Sequence, residues 1–218
     1  MAGPKKINKD FFKKWSSDMA YVLGIFMADG NMVLTKRNNH YISFYSADKD
    51  ILIEIKNALG SGHKLSKRNH DESFRIQIGN KEMFNDLCFL GVTPNKSKRM
   101  KMPEIPNKFV DDFVRGYFDG DGNVWSGYMN KSRAKPTHAL QVAFTSSCME
   151  FLHELLSLLR KRGVHGGSIF KIKNKECHRL IFGTSDALKL YQIMYNEPYS
   201  LGLKRKIQVF EKFIKMRS

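Results

Sequence analysis

Two aspartates, Asp29 and Asp121, each stand immediately before a glycine at the end of an apolar segment, Val22 to Gly30 and Val114 to Gly122. If each segment is a helix closed by its glycine, each carboxylate lies at the negative end of a helix dipole, beside carbonyls without helical partners. A negative charge there is disfavoured by a few tenths of a kcal/mol, roughly the size of the dipole interaction. A divalent cation reverses the sign, because carboxylate and carbonyl oxygens are hard ligands for Mg²⁺ or Ca²⁺. Two such acids sharing metal ions would suit in-line phosphodiester hydrolysis, one metal activating water and the other stabilising the leaving oxygen.

The acids must meet for this to work. Gly24 with Ala28, and Gly116 with Gly120, put small residues four apart on one face of each segment, so two helix backbones could approach closely. Packed side by side, these helices bring both aspartates to the bottom of one cleft. Simpler readings exist for each piece. Asp-Gly alone is a common hairpin turn. Asp119 to Asn123 opens like a calcium-binding loop, but Val124 and Asn130 stand where that loop requires Gly and Glu. The stripe of Tyr21, Ile25 and Phe26 reads as core.

The two segments belong to a longer duplication. Gly24, Phe26, Asp29 and Gly30 match Gly116, Phe118, Asp121 and Gly122 at one constant spacing. Further on, Phe44 to Ser46 with Asp50, Leu52, Glu54 and Leu59 match Phe144 to Ser146 with Glu150, Leu152, Glu154 and Leu159. Phe74-Arg75-Ile76-Gln77-Ile78-Gly79 then matches His178-Arg179-Leu180-Ile181-Phe182-Gly183. Two copies are too few for a solenoid and indicate a pseudo-twofold pair. The proline-containing stretch Met102 to Lys108 between them suits an extended linker. The expected division is therefore 1–98, a linker at 99–108, and 109–218.

Each copy carries the periodicities of α-β-β-α-β-β-α. In the first, Ser16 or Ser17 caps a helix running to Gly30, and Ile42 and Phe44 alternate with polar neighbours. Helical spacing follows over Ile51 to Leu59, strand alternation over Phe74 to Ile78, and a helix over Lys81 to Leu90. The second copy has a strand at Leu140 to Phe144, a helix at about Cys148 to Arg162, and a strand in which Phe170 and Ile172 face inward. Helices at about Asp186 to Tyr195 and Leu203 to Met216 complete it. The expected class is α+β, with antiparallel sheets covered by helices on one face and the acid-bearing helices at the interface.

The uncovered sheet faces are then basic and polar. The first carries Tyr41, Ser43, Tyr45, Lys64, Ser66, Arg68, Arg75 and Gln77, with Lys36 and Arg37 in the preceding turn. The second carries Arg133, Gln141, Lys171 and Lys173. A solvated face would use acids as freely as bases, and acids are scarce here. The whole chain has 37 Lys and Arg against 21 Asp and Glu, a net charge of +16. That excess favours a polyanion, and β-ribbons fit the major groove of DNA. The three cysteines have no paired spacing, so neither a disulfide framework nor a four-ligand zinc site is expected. No apolar run is long enough to span a bilayer and the N-terminus lacks a signal peptide, so an intracellular protein without a membrane partner is expected, its compartment undetermined.

Val22 to Gly30 and Val114 to Gly122 resemble the paired signature motifs of the LAGLIDADG homing endonucleases of single-chain type, and the resemblance covers nearly the whole chain. It implies a monomeric saddle whose sheets straddle a long, nearly nonpalindromic duplex, with Mg²⁺-dependent cleavage of both strands leaving short 3′ overhangs. Ca²⁺ or Mn²⁺ could replace Mg²⁺ for binding or cleavage. The family's metal-ligand acid falls on Asp29 and Asp121, with backbone carbonyls of Ala28 and Gly120 completing the set. Its active-site lysine falls on Lys96 in the first half, with Lys98 behind it, and on Lys206 in the second, with Lys204 as alternative. Met27 faces Asp119 and Leu23 faces Arg115 in the two motifs, so the halves are not equivalent; Asp119 could be structural, pairing with a helix end or with Arg115. An RNA-binding intron maturase would need the basic surface but not both acids, and a non-catalytic DNA-binding regulator would be expected to lose one. An intein is disfavoured by the lack of a splicing domain and of a Cys or Ser at position 1.

Overall fold

The computed structural model describes residues 5–68, 72–94, 99–130, 132, 134–196 and 198–217. The first half runs α1 (Ser17–Asp29), β1 (Asn31–Leu34), β2 (His40–Ser46), α2 (Lys49–Ala58), β3 (Leu65–Lys67), β4 (Phe74–Gly79) and α3 (Lys81–Phe89). The second repeats this order as α4 (Val110–Asp121), β5 (Gly122–Met129), β6 (Thr137–Ser146), α5 (Met149–Arg160), β7 (Ser168–Lys171), β8 (His178–Phe182) and α6 (Thr184–Tyr195), and adds α7 (Lys204–Lys215). Each half holds one antiparallel four-stranded sheet, in the orders β1-β2-β4-β3 and β5-β6-β8-β7. The α+β class and the repeated αββαββα order are thus those the periodicities indicated.

Local chemistry accounts for the boundaries. Ser16 accepts the Met19 N–H at 3.1 Å and starts α1. Asp48 and Asn80 cap α2 and α3 in the same way. Hairpin turns place Asn38, Asn130 and Asn174 at positive φ, where a short amide side chain is tolerated. Met19 to Met27 are buried on every side of α1, which marks a helix enclosed by protein rather than lying on a surface. One continuous apolar core joins both halves through α1 and α4.

Strand register fixes which side chains share a face, because cross-strand partners point the same way. In the first sheet Ile42, Phe44, Ile76 and Ile78 pair toward the helices, and Ser43 with Gln77 and Tyr45 with Arg75 point away. In the second, Phe144 pairs with Leu180, and Leu180 with Ile169, on the helix side.

Three local expectations change. Gly30 is not a left-handed helix stop: its φ is −78° and ψ 155°. Glycine is required there because a Cβ would overlap the Phe26 ring, and Gly122 stands in the same relation to Phe118. In β7 the inward residue is Ile169, not Phe170, which is 56% exposed; the strand ends at Lys171, so Ile172 falls in the hairpin. The stretch after residue 99 has no regular structure up to Pro106 but ends in a 3-10 helix at Asn107–Phe109 where an extended linker was expected, and it lies against the second half. Met100 is buried and its carbonyl accepts the Cys148 thiol at 3.2 Å, while the Met102 N–H donates to Glu154 at 2.8 Å.

Candidate active site

α1 and α4 meet backbone to backbone. A Cβ on Gly116 would overlap the Tyr21 carbonyl oxygen, and one on Gly24 would lie 2.6 Å from the Tyr117 nitrogen. One turn further, a Cβ on Gly120 would overlap that of Ala28 and lie 3.7 Å from Asp29 Oδ2. Gly120 precedes Asp121, so the crossing delivers both carboxylates to the same end of the helix pair. Asp29 is exposed and Asp121 half-buried, while Met19 to Met27 and Phe113 to Asp119 above them are buried.

Two neighbours register both acids. The Tyr117 hydroxyl is pushed well above its usual pKa by burial, with Asp121 and then Asp29 adding to the rise; it donates to the Thr145 carbonyl at 2.8 Å. Lys206, only 4% exposed, is lowered to about 8 by burial, against the attraction of Asp119, Asp29 and Asp121.

The Lys206 ammonium is fully engaged. It donates to the carbonyls of Phe118 at 2.5 Å, Asp119 at 3.0 Å and Gly122 at 2.6 Å. These oxygens close α4, so Lys206 caps the helix that carries Asp121 instead of projecting into an open cleft. Replacing Lys206 with Met removes three hydrogen bonds at the end of α4, where the Phe118 carbonyl keeps only the Gly122 N–H. At about 1 kcal/mol per bond the expected loss is about 3 kcal/mol, seen as a lower thermal midpoint. A midpoint equal to that of the unaltered chain would rule out the capping role. Lys204 is exposed beside Asp48, Asp50 and Glu54. Lys96 and Lys98 lie outside the described residues.

Asp119 takes no part in the acidic end. It is 2% exposed and accepts from the Tyr21 and Tyr195 hydroxyls, each at 2.8 Å, and from the Leu203 N–H at 2.9 Å. Burial raises its pKa, and Lys206 with these donors opposes the rise. Arg115 does not pair with it. Its guanidinium binds Asp112 at 2.7 Å and the carbonyls of Leu201 and Met194, between the rings of Tyr21 and Tyr199. Both residues therefore fasten α4 to the C-terminal segment, which explains why the two motifs differ at these positions.

The donors at the acidic end fit a hard cation. They comprise two carboxylates and the last-turn carbonyls of Ala28 and Gly120, all oxygen. Among the described residues no three His, Cys, Asp or Glu cluster as metal ligands, so backbone or non-protein oxygens would have to complete the shell.

On the outward sheet faces the expected residues divide. Tyr41, Tyr45, Arg75 and Gln77 share the first face with Ser66, whose hydroxyl donates to the Arg75 carbonyl at 3.4 Å. The Arg68 guanidinium lies 5.0 Å from the Tyr45 ring centre. Lys64 is exposed just before β3, and Lys36 and Arg37 are exposed in the β1–β2 turn. Ser43 points the expected way but is 2% exposed, because it sits mid-sheet between Asn31 and Gln77. In the second sheet Gln141 is half-buried, its amide nitrogen 4.0 Å from the Met129 sulfur. Lys171 is a correction: it pairs with His178 on the helix side, at the sheet edge, because alternation runs from Ile169. Lys173 belongs to the β7–β8 hairpin, and Arg133 lies outside the described residues. Arg179, exposed on the outward face opposite Phe170, was not expected. The repeat itself holds the signal, since Arg179 is the counterpart of Arg75.

Residues 108–194 match the model of the LAGLIDADG-like domain. The fold is that of I-SmaMI bound to an uncleaved DNA target in the presence of calcium ions (TM-score 0.63, 13% identity, 93% of this chain and 90% of that one). It is likewise that of the I-LtrWI LAGLIDADG homing endonuclease bound to target DNA (TM-score 0.60, 15% identity, 96% and 90%). In sequence, an uncharacterized protein of Methanocaldococcus jannaschii is 23% identical over 91% of this chain and 72% of its own length. The DNA-directed RNA polymerase subunit Rpo1C of the same organism is 25% identical over 97% of this chain, which spans 22% of that protein. A probable translation initiation factor IF-2 of Thermococcus kodakarensis is 26% identical over 89% of this chain, which spans 15% of it. No helix among the described residues is long and apolar enough to cross a membrane.

Proposed function

We propose that this chain, with its LAGLIDADG-like domain and the two-motif fold of the single-chain LAGLIDADG endonucleases, is a site-specific DNA endonuclease that works as a monomer. Its two halves, 1–98 and 109–218 joined through 99–108, would straddle a long, nearly nonpalindromic duplex and cut both strands. The observation that carries this reading is the delivery of Asp29 and Asp121 to one end of the α1–α4 crossing, next to outward sheet faces on a chain of net charge +16.

Asp29 and Asp121, with the carbonyls of Ala28 and Gly120, would hold Mg²⁺, for which Ca²⁺ or Mn²⁺ could substitute. When bound, the metal supplies Lewis acidity at the scissile phosphate and lowers the pKa of water. The chain's own contribution is positional. The crossing fixes the spacing of the two carboxylates, and Lys206 holds the end of α4 through three carbonyls. Lys96 remains the proposed active-site lysine of the first half. Tyr41, Tyr45, Arg75, Gln77, Gln141 and Arg179 would face base edges and phosphates, with Lys36, Arg37, Lys64, Ser66 and Arg68 flanking them.

The test is incubation of the purified chain with Mg²⁺ and a randomised duplex library, followed by sequencing of the ends. Cut sites sharing one long sequence, with short 3′ overhangs, are expected; an intact library would overturn the reading. Binding should also weaken by about a thousandfold or more between roughly 50 and 200 mM salt if six or more phosphates are contacted. A flat salt dependence would contradict phosphate contact.

A further inference from the structure

The two outward faces differ in chemistry at equivalent places. The sheets share one topology, so Ser43 and Gln77 of the first correspond to Ala143 and Ile181 of the second, which pair with each other in the same way. Ser66 likewise corresponds to Phe170, while Val33, itself apolar and 39% exposed, is replaced by the larger Trp125. Arg75 and Arg179 keep their type.

Three apolar residues of the second face are open to solvent, while Ile181 is half-buried and Ala143 is buried. Trp125 is 42% exposed, Met129 40% and Phe170 56%. The indole lies along its own strand over Gly127, where a Cβ would come within 2.5 Å of it. Glycine at 127 thus lets the ring lie flat as an outward plate. Gln141, the chief polar side chain nearby, turns its amide nitrogen to Met129. Trp125 and Met129 on β5 and Phe170 on β7 stand at opposite edges of the sheet, with Ile181 between them beside polar Gln141 and Arg179, and an exposed apolar patch of this kind marks a binding surface. Here the patch is continuous with the proposed DNA-binding face and carries Arg179, on a chain of net charge +16, so duplex DNA is the complementary occupant.

The major groove offers one apolar feature, the C5-methyl of thymine. Resting on the DNA-cleavage reading above, we propose that the second sheet selects a thymine-rich half-site by apolar contact with these methyls through Ile181, Trp125 and Phe170. The first sheet, with Gln77 and Arg75 at its centre, reads its half-site by hydrogen bonds. The protein thereby distinguishes the two ends of its target by the kind of contact as well as by sequence.

Deoxyuridine in place of thymidine removes only the methyl and tests this directly. Sites bound by the full chain in Ca²⁺ are selected from a random duplex library. The half-site under each sheet is identified by the preference lost in Arg75→Ala or Arg179→Ala. Deoxyuridine is then introduced into one half-site at a time. Each methyl removed under the second sheet should weaken binding about fourfold, with less than a twofold change under the first. Ile181→Gln should erase the penalty at one position, and Gln77→Ile should create one in the other half-site. Equal penalties in both half-sites, or none under the second sheet, would overturn the proposal while leaving sequence-selective DNA binding intact. Failure to select any duplex sequence would instead remove the DNA reading itself. Either arginine variant alone assigns both half-sites, and the deoxyuridine series itself uses the unaltered chain, so the test still decides the matter if one substituted chain fails to fold.

Discussion

Asp29→Asn and Asp121→Asn should each leave the chain able to bind its duplex while slowing cleavage by about a thousandfold or more, an effect of several kcal/mol on the barrier. The exchange keeps side-chain size and one oxygen but removes the negative charge that a cation at the helix ends would bind. Both acids sit past the tightly packed part of α1 and α4, Asp29 exposed and Asp121 half-buried, so little packing is lost. Affinity should hold or rise slightly, since one like charge near the phosphates is gone. Asp119→Asn is the informative contrast. That carboxylate is buried beneath two tyrosine hydroxyls and an amide N–H, so its replacement should show as lost stability. Measuring duplex retention on a gel beside cleavage in Mg²⁺ separates the two. Wild-type cleavage by both the Asp29 and Asp121 variants would refute their assignment.

Gly116→Ala should cost about 3 kcal/mol, the upper end for overpacking, or roughly 6–12 °C of thermal midpoint for a chain of this size. The added carbon overlaps the Tyr21 carbonyl oxygen, and backbone cannot swing aside as a flexible side chain can. Relief requires α1 and α4 to separate, which also moves the acids apart. Cleavage should therefore fall more than the stability loss alone explains when assayed well below the new midpoint. Gly183→Ala is the control, since nothing lies within 4 Å of a Cβ there. A midpoint unchanged by Gly116→Ala would mean that the helices do not meet through this face.

Much of this arrangement was legible in the sequence because it rests on periodicity and duplication. The element order, the α1–α4 contact at small residues and the outward direction of Tyr41, Tyr45, Arg75 and Gln77 follow from spacing alone. The misread details depend on side chains distant in sequence. Nothing local shows that Ser43 is covered mid-sheet. In β7, Phe170 and Ile172 flank Lys171 as convincingly as Ile169 does, so only pairing with Leu180 fixes the register. Gly30 and Gly122 read as helix stops by type, yet the rings of Phe26 and Phe118 are what exclude a side chain there. The roles of Asp119 and Arg115 required knowing that the C-terminal segment returns to α4. Arg179 was missed although its counterpart Arg75 was recognised.

That returning segment does more than reach α4. Ser200 donates to Asp18 of α1, Gly202 lines one cleft with Glu54 of α2, and Arg205 lies 3.7 Å from Asp48. Residues near 200 therefore latch onto the first half, like the tongue of a buckle. During synthesis the first half must wait for residues 200–205 before these contacts are complete. A nascent chain would accordingly gain its finished shape late.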